Sequence, residues 1–173
     1  IIPDMGWLMQ RLDSFEKFPV FSYLDPWQQQ LVRLSYTLWQ REERTQTRFL
    51  DYSFVVFPMA KAYEGFLKSY LWQLGLISEA SYRSRKFRIG RALNPDVSTR
   101  QRDEDWMYDD VIRMCGPDLA RQLWETWLTC RNQLVHYFPN STQGVSLPQA
   151  DKYIETIFDV MQQAVACAMK HKS

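Results

Sequence analysis

The stretch "YSFVVFPMAKAYEGFLKSYLWQLGLI", residues 52–77, predicts a long amphipathic helix, because its apolar residues recur at helical spacing. Pro58 either kinks this helix or marks its start. Glu64 lies four residues after Ala60. It also lies three residues before Leu67 and seven before Leu71, so its carboxylate is predicted to face inward. Gly65 beside it would let another helix or a ligand approach closely. The predicted apolar stripe comprises Ala60, Tyr63, Leu67, Tyr70, Leu71 and Leu74.

Further helices are predicted on both sides of this stretch. Asp25 is the expected N-cap of one helix, with Pro26 in its first position. A second is expected over 118–138, and Ser146 with Gln149 forms a capping-box pattern that opens the last one. The first of these helices has an apolar stripe of Trp27, Leu31, Leu34 and Leu38. No stretch alternates over several residues as a strand would, so we predict an all-α helical bundle over residues 25–173, preceded by an N-terminal extension or linker over 1–24.

The bulk composition is that of a single folded domain. The chain has 173 residues, of which 46% are hydrophobic and 15% aromatic, so a well-packed core is expected and a disordered chain is excluded. The longest apolar runs, such as residues 54–60, are too short to span a bilayer. No basic-then-apolar leader opens the chain, and we therefore expect a cytoplasmic protein.

The three cysteines Cys115, Cys130 and Cys167 are widely spaced and odd in number. We interpret them as buried, inert thiols in a reducing cytosol, not as a disulfide framework or a zinc site. The acidic run 103–110 resembles a magnesium site in composition, but a solvated helix face or a partner for a basic segment explains it better. With no other acidic cluster and no Cys/His set evident, neither a metal nor another cofactor is expected.

The motif "RNQLVH", residues 131–136, places polar residues at the end of an apolar helix. Arg131 falls on the apolar stripe of that helix, where an unpaired charge would be costly, so we predict that it meets Glu64. His136 and Asn132 are four residues apart and share a face. A converging Arg, His and Glu fits phosphodiester cleavage, in which Arg stabilises the phosphorane and His transfers protons. From spacing alone, a structural ion pair with His136 as a C-terminal cap is the more common arrangement.

Basic residues are concentrated in one segment, because residues 81–102 hold seven Arg or Lys and one Asp. The run 83–91, "RSRKFRIGR", is typical of RNA binding, with cations for the phosphates and one ring that can stack on a base. A solvated loop, or a surface that receives an acidic antitoxin, explains the run equally well. The predicted RNA-binding residues are Arg83, Arg85, Lys86, Phe87, Arg88 and Arg91.

The Arg and His of residues 131–136, separated by four residues, resemble the motif of HEPN domains. The segments 62–77 and 87–94 are similar to the C-terminal HEPN domain of RNase LS-type toxins (the RnlA/LsoA family). This resemblance implies an all-α, generally dimeric, metal-independent ribonuclease of a toxin–antitoxin or antiphage system, held in check by a cognate antitoxin. It also implies a catalytic set of Glu64, Arg131 and His136, supported by Asn132.

Only two histidines are present, and His171 lies in the C-terminal "MKHKS", where we expect a mobile tail. Attack by the RNA 2′-OH needs both a base and an acid, which one His136 cannot supply at once. A two-fold dimer that joins two motifs meets this need, and a Glu64–His136 pair within one chain is the alternative. A non-catalytic HEPN module that binds a nucleotidyltransferase or an antitoxin, and a helical scaffold, are the other classes of function.

Overall fold

The protein is described by a computed structural model that covers residues 15–136, 139 and 144–171. The prediction of an all-α fold is confirmed, since these residues form α-helices and contain no β-strand. A 3₁₀ turn at Thr99–Gln101 and a π-helical turn at Leu128–Gln133 complete the regular structure. The eight helices are α1 Pro19–Tyr23, α2 Pro26–Arg44, α3 Ser53–Gln73, α4 Glu79–Arg83, α5 Ile89–Ala92, α6 Tyr108–Cys115, α7 Pro117–Trp127 and α8 Leu147–Lys170.

Helix α3 is the centre of the bundle and is buried on nearly all sides. It packs against α2 and α8 and also touches α7 and the π turn. Pro58 lies inside the helix, so it does not mark the start. The helix ends at Gln73, short of the predicted residue 77, because Gly75 adopts a left-handed conformation with φ of 72°. The Gly75 and Leu76 N–H groups donate back to the carbonyls of Trp72 and Leu71, which closes the helix in a Schellman motif.

Helix α2 begins as predicted but buries a different face. Asp25 accepts a hydrogen bond from the Gln28 N–H, and Gln28 reaches back to the Asp25 N–H, so both sides of a capping box are present. The predicted stripe is wrong at two positions, because Trp27 is 63% exposed and Leu34 is 46% exposed. The polar side chain of Gln28 packs on Gly65 of α3. This contact buries the face of α2 that contains Gln28, which includes several polar residues. The buried residues are Gln28, Leu31, Val32, Ser35, Tyr36, Trp39 and Glu42.

The predicted domain boundary at residue 25 is wrong for the part of the N-terminus that the structure describes. Phe15 is 1% exposed, and its ring centroid lies 4.0 Å from that of Phe158 on α8. Val20 and Leu24 are also buried, and α1 packs against α8. Residues 15–24 therefore belong to the core, while residues 1–14 of the predicted extension lie outside the described residues.

The helix predicted over 118–138 is present and continuous over residues 117–135, but its winding changes along its length. Gly116, with φ of 87°, turns the chain out of α6, and Pro117 opens α7. Regular α-helix runs to Trp127, continues as the π turn and resumes at Leu134 and Val135. Of the end of the predicted helix, residues 137 and 138 lie outside the described residues. Helix α8 then begins behind the predicted capping box of Ser146 and Gln149.

Cys115 and Cys167 form a disulfide that ties the end of α6 to the end of α8, with their Cα atoms 5.8 Å apart. The prediction of three inert thiols is wrong for this pair, whereas Cys130 is free and buried. The two residues are 52 positions apart in the sequence and meet only through helix packing. Disulfides are typical of oxidising compartments, so these cysteines no longer favour a reducing cytosol. No helix in the described part of the chain has the length and apolar character needed to cross a membrane.

Candidate active site

Glu64 and Arg131 form an ion pair between α3 and the π turn. Nε and Nη2 of Arg131 each lie 2.8 Å from Oε2 of Glu64. The side chains are 34% exposed for Glu64 and 28% for Arg131, so the pair sits at the rim of the core. The predicted proximity of these two residues is confirmed. The prediction rested on helical periodicity, because each of the two charged residues occupies a position on the otherwise apolar stripe of a helix that must pack inward.

The guanidinium of Arg131 also rests near an aromatic ring. Its Cζ lies 5.5 Å from the ring centroid of Trp127, within the range of a cation–π contact. Trp127 in turn stacks on Trp124, with ring centroids 5.5 Å apart and an interplanar angle of 16°. Arg131 is therefore held by a carboxylate and by an aromatic face, and both supports come from the regular helices that precede it.

Gly90 on α5 belongs to this site, although no role was predicted for it from the sequence. A Cβ atom at this position would overlap the six-membered ring of Trp127. Glycine here allows the α5 backbone to approach that ring closely, and so fixes the ring that Arg131 faces. The only local signal for this role was a glycine in a chain with six, and it does not identify the partner.

The π turn changes how Arg131 and His136 relate to each other. Residues five apart on an α-helix are separated by about 140°. Hydrogen bonds in a π turn join residues i and i+5, so positions five apart approach one face. The π turn spans Leu128–Gln133 and so includes the first part of the interval from Arg131 to His136. It therefore reduces the angle around the helix axis between these two side chains. Single π turns within helices are frequent at functional sites.

His136 lies just beyond this segment, in a bend, and its side chain is exposed. Among the residues that the structure describes, it has no hydrogen bond or ion pair. Its predicted role as a helix cap is therefore not observed within that part of the chain, and the imidazole is accessible to a ligand. Asn132, the predicted supporting residue, is half-buried within the π turn.

The floor of the site is apolar and tightly packed. Tyr63, the residue before Glu64, is fully buried, and its hydroxyl donates to the Leu123 carbonyl at 2.9 Å. Burial raises the pKa of Tyr63 well above its usual value, so the hydroxyl remains a donor. Cys130 lies directly before Arg131, and burial raises the pKa of its thiol to about 12. Both groups stay neutral and give the ion pair a rigid backing of low polarity.

The basic run is only partly available for RNA. Arg83 pairs with Glu79, and Arg91 pairs with Asp103 at 2.6 Å. The Arg91 hydrogen bond is the main cause that lowers the pKa of Asp103. The predicted role of Phe87 in base stacking is wrong, because its side chain is 6% exposed and belongs to the core. Within the run 83–91, the exposed cations whose side chains have no hydrogen bond or ion pair to the described residues are Arg85, Lys86 and Arg88.

The acidic run 103–110 pairs with the basic segment, as one of the two interpretations predicted. Besides the Arg91–Asp103 pair, Arg102 lies 3.9 Å from Asp109 and stacks over Trp106, with its Cζ 3.9 Å from the ring centroid.

In the described part of the chain, the one group of three or more side chains suited to a metal ion is Cys115, Cys167 and His171. The expectation that no Cys/His set exists is therefore wrong. His171 is also placed, with Nε2 2.7 Å from the Met114 carbonyl, instead of lying in a mobile tail.

The chain was compared with known protein families, with curated proteins and with solved structures, and none of the three comparisons finds a match.

Proposed function

We propose that this chain is a metal-independent endoribonuclease domain of the HEPN type, with Glu64, Arg131 and His136 as its catalytic set. The observation that carries the proposal is the Glu64–Arg131 ion pair at a π turn, with an exposed histidine at the end of the same segment. The side chain of Arg131 is 28% exposed, and its Nη1 has no hydrogen bond to the described residues. It can therefore donate to a phosphate while Glu64 holds it in place.

In the proposed reaction the RNA supplies its own nucleophile. The 2′-oxygen bonds to phosphorus as its proton passes to a base, and the bond from phosphorus to the 5′-oxygen breaks as that oxygen receives a proton. The products are a 2′,3′-cyclic phosphate and a 5′-hydroxyl. Arg131 stabilises the charge that develops on the phosphorane, which such a donor does best when it is positioned beforehand. His136 transfers a proton, and its exposure allows direct contact with the ribose.

The two proton transfers require a second group, and we propose that a homodimer supplies it. In a two-fold dimer, His136 of one chain would act as base and His136 of the other as acid. Two Arg131 cations would then share one groove, and each Glu64 would offset part of their repulsion. The alternative within one chain uses Glu64 as the second group. Its Oε1 is not engaged by Arg131, since both short contacts involve Oε2.

The proposed biological setting is a cytoplasmic toxin–antitoxin or antiphage system with RNA as substrate. Arg85, Lys86 and Arg88 are the proposed phosphate contacts, because they are exposed and have no ion pair to the described residues. Without the Phe87 ring, this surface offers charge and no base stacking. The same three cations would attract an acidic antitoxin, which would silence the enzyme by covering the path of the RNA.

A non-catalytic HEPN module that partners a nucleotidyltransferase or an antitoxin is the second candidate. The observation in its favour is that two nitrogens of Arg131 already bind Glu64, as in a purely structural ion pair. Such a module would not need His136, whereas cleavage would. The two candidates therefore differ in what the loss of the His136 imidazole does.

The deciding experiment incubates the purified chain with RNA in EDTA, beside the variants His136→Ala and His171→Ala. The second histidine is a matched control, because it lies at the C-terminal end of α8 and outside the proposed site. We expect cleavage by the wild type and by His171→Ala, 2′,3′-cyclic phosphate ends on the product, and no cleavage by His136→Ala. Cleavage that stops in EDTA, or that persists in His136→Ala, contradicts the proposed function.

A further inference from the structure

A cluster of three potential metal ligands lies where α6 and α8 end. Cys167 and His171 are four residues apart at the C-terminus of α8, so they lie on one face of the helix. Cys115 is the last residue of α6, and Gly116 turns the chain away behind it. One ligand atom from each of the three residues lies within 4.8 Å of the other two. Helix packing thus joins three metal-binding groups that are widely separated in the sequence.

The chemistry of the three groups is that of a zinc site. Two thiolates and one imidazole are a known ligand set for Zn²⁺, with water completing a tetrahedron. Zn–S bonds of about 2.3 Å and Zn–N bonds of about 2.0 Å place ligand atoms roughly 3.5 Å apart around the ion. The observed separations require only small side-chain movements to reach that geometry. Hard cations such as Mg²⁺ prefer oxygen ligands and would not select this set.

Hydrogen bonds around the cluster favour metal binding as well. The carbonyl of Met114 can only accept, so the 2.7 Å contact means that His171 carries its proton on Nε2 and leaves Nδ1 as the free ligand atom. Histidines that bind metals usually donate their other N–H to such a carbonyl, which fixes the ring. The Tyr70 hydroxyl lies 3.1 Å from Sγ of Cys115 and can donate to a thiolate there. Both contacts orient the ligands before any ion arrives.

We propose that Cys115, Cys167 and His171 bind one zinc ion when the disulfide is reduced, and release it when the disulfide forms. Reduction adds two electrons and two protons to the Cys115–Cys167 bond and yields two thiols. Zinc then displaces the two thiol protons and binds both sulfurs. The electrons come from a dithiol or a phosphine, which is oxidised to a disulfide or a phosphine oxide. The same two sulfurs cannot serve both states, so bound zinc and the disulfide exclude each other.

This site is separate from the Glu64–Arg131 pair. Cys115 precedes α7 and Arg131 follows it, so the 11 residues of that helix lie between them. At about 1.5 Å per residue, the helix spans roughly 16 Å. Zinc binding at the α6–α8 junction is therefore independent of the proposed ribonuclease chemistry, and chelation by EDTA should empty this site without stopping cleavage.

Metal titration of the full chain tests the proposal. The protein is reduced with a phosphine under anaerobic conditions, freed of reductant, and titrated with Zn²⁺, while Co²⁺ serves as a coloured probe of thiolate ligation. We expect one ion per reduced chain, a thiolate-to-cobalt absorption band and a higher Tm with zinc. The oxidised chain should bind no ion at this site. Each of Cys115→Ser, Cys167→Ser and His171→Ala should lose more affinity than the roughly 10–100-fold typical of removing an outer hydrogen-bond partner.

Cys130→Ala is the matched control, because it removes the one cysteine outside the cluster. It should retain the stoichiometry and the cobalt band, with circular dichroism confirming that it folds. Failure of the reduced wild type to bind one equivalent of zinc would overturn the proposal. Equal binding by His171→Ala and the wild type would also overturn it, because the exposed helix end tolerates that change and the three-ligand set would then be wrong.

Discussion

Replacing Arg131 with methionine should lower the free energy of unfolding by about 1–2 kcal/mol. Exposed ion pairs contribute at most about 1 kcal/mol, whereas breaking a buried pair costs about 3–5 kcal/mol. With side-chain exposures of 28% and 34%, Arg131 and Glu64 lie between these limits. The contact with Trp127 adds roughly 0.5–1 kcal/mol. Methionine keeps the apolar stem of the side chain, so the expected loss is mainly electrostatic.

A double-mutant cycle separates the ion pair from the other effects of each substitution. Urea unfolding of Glu64→Gln, Arg131→Met and the double variant should give a coupling energy of about 1 kcal/mol. Arg121 and Asp118 supply the matched control, because their side chains are 60% and 84% exposed. The same cycle on that pair should give less than about 0.5 kcal/mol.

The outcome for activity is expected to differ from the outcome for stability. Each single substitution in the Glu64–Arg131 pair should abolish RNA cleavage at a temperature where the variant remains folded. The reasoning fails if the coupling energy of this pair equals that of the Arg121–Asp118 control. It also fails if Arg131→Met cleaves RNA at the wild-type rate, because Arg131 would then be only a structural residue.

Three other changes test the surroundings of the site. Gly90→Ala should cost about 1–3 kcal/mol through overpacking against Trp127, and should reduce cleavage in assays normalised for folded protein. Mixing Arg131→Ala chains with His136→Ala chains should restore part of the cleavage if a dimer combines the two residues, whereas a fully active monomer would contradict the dimer. Cys130, whose pKa rises from 9.0 to about 12 on folding, stabilises the protein fully below pH 9 and loses this contribution as pH rises toward 12. Unfolding curves at pH 7 and 10 should therefore differ by roughly 1 kcal/mol more in the wild type than in Cys130→Ala.

Features encoded by neighbouring residues were predictable from the sequence. The N-cap Asp25 of α2 and the capping box of α8 were predictable because capping requires particular polar residues at fixed positions. The Glu64–Arg131 pair was predictable because a charge on an apolar stripe needs a partner, and only an inward acid on another helix could supply it.

Features that depend on how helices pack were not predictable in this way. Trp27 fits the helical period of α2, but the contact of Gln28 with Gly65 decides which face is buried. Phe87 lies among cations in the sequence, yet its ring is drawn into the core. The disulfide joins residues 52 positions apart, whose meeting depends on the lengths and directions of three helices. The π turn has no residue signature, because it differs from α-helix only in its hydrogen bonding.

The π turn at Leu128–Gln133 behaves as a helix that has gained one residue. An α-helix of the same length would need one residue fewer, so deleting Thr129 should allow regular winding to continue through this segment. Because the turn already absorbs the extra residue, positions after it would keep the faces that they have now. Inside the turn the faces would change, so Arg131 would rotate away from Glu64 while the end of the helix stays in place. A single lost codon would therefore leave the bundle intact while removing the ion pair on which the proposed chemistry depends.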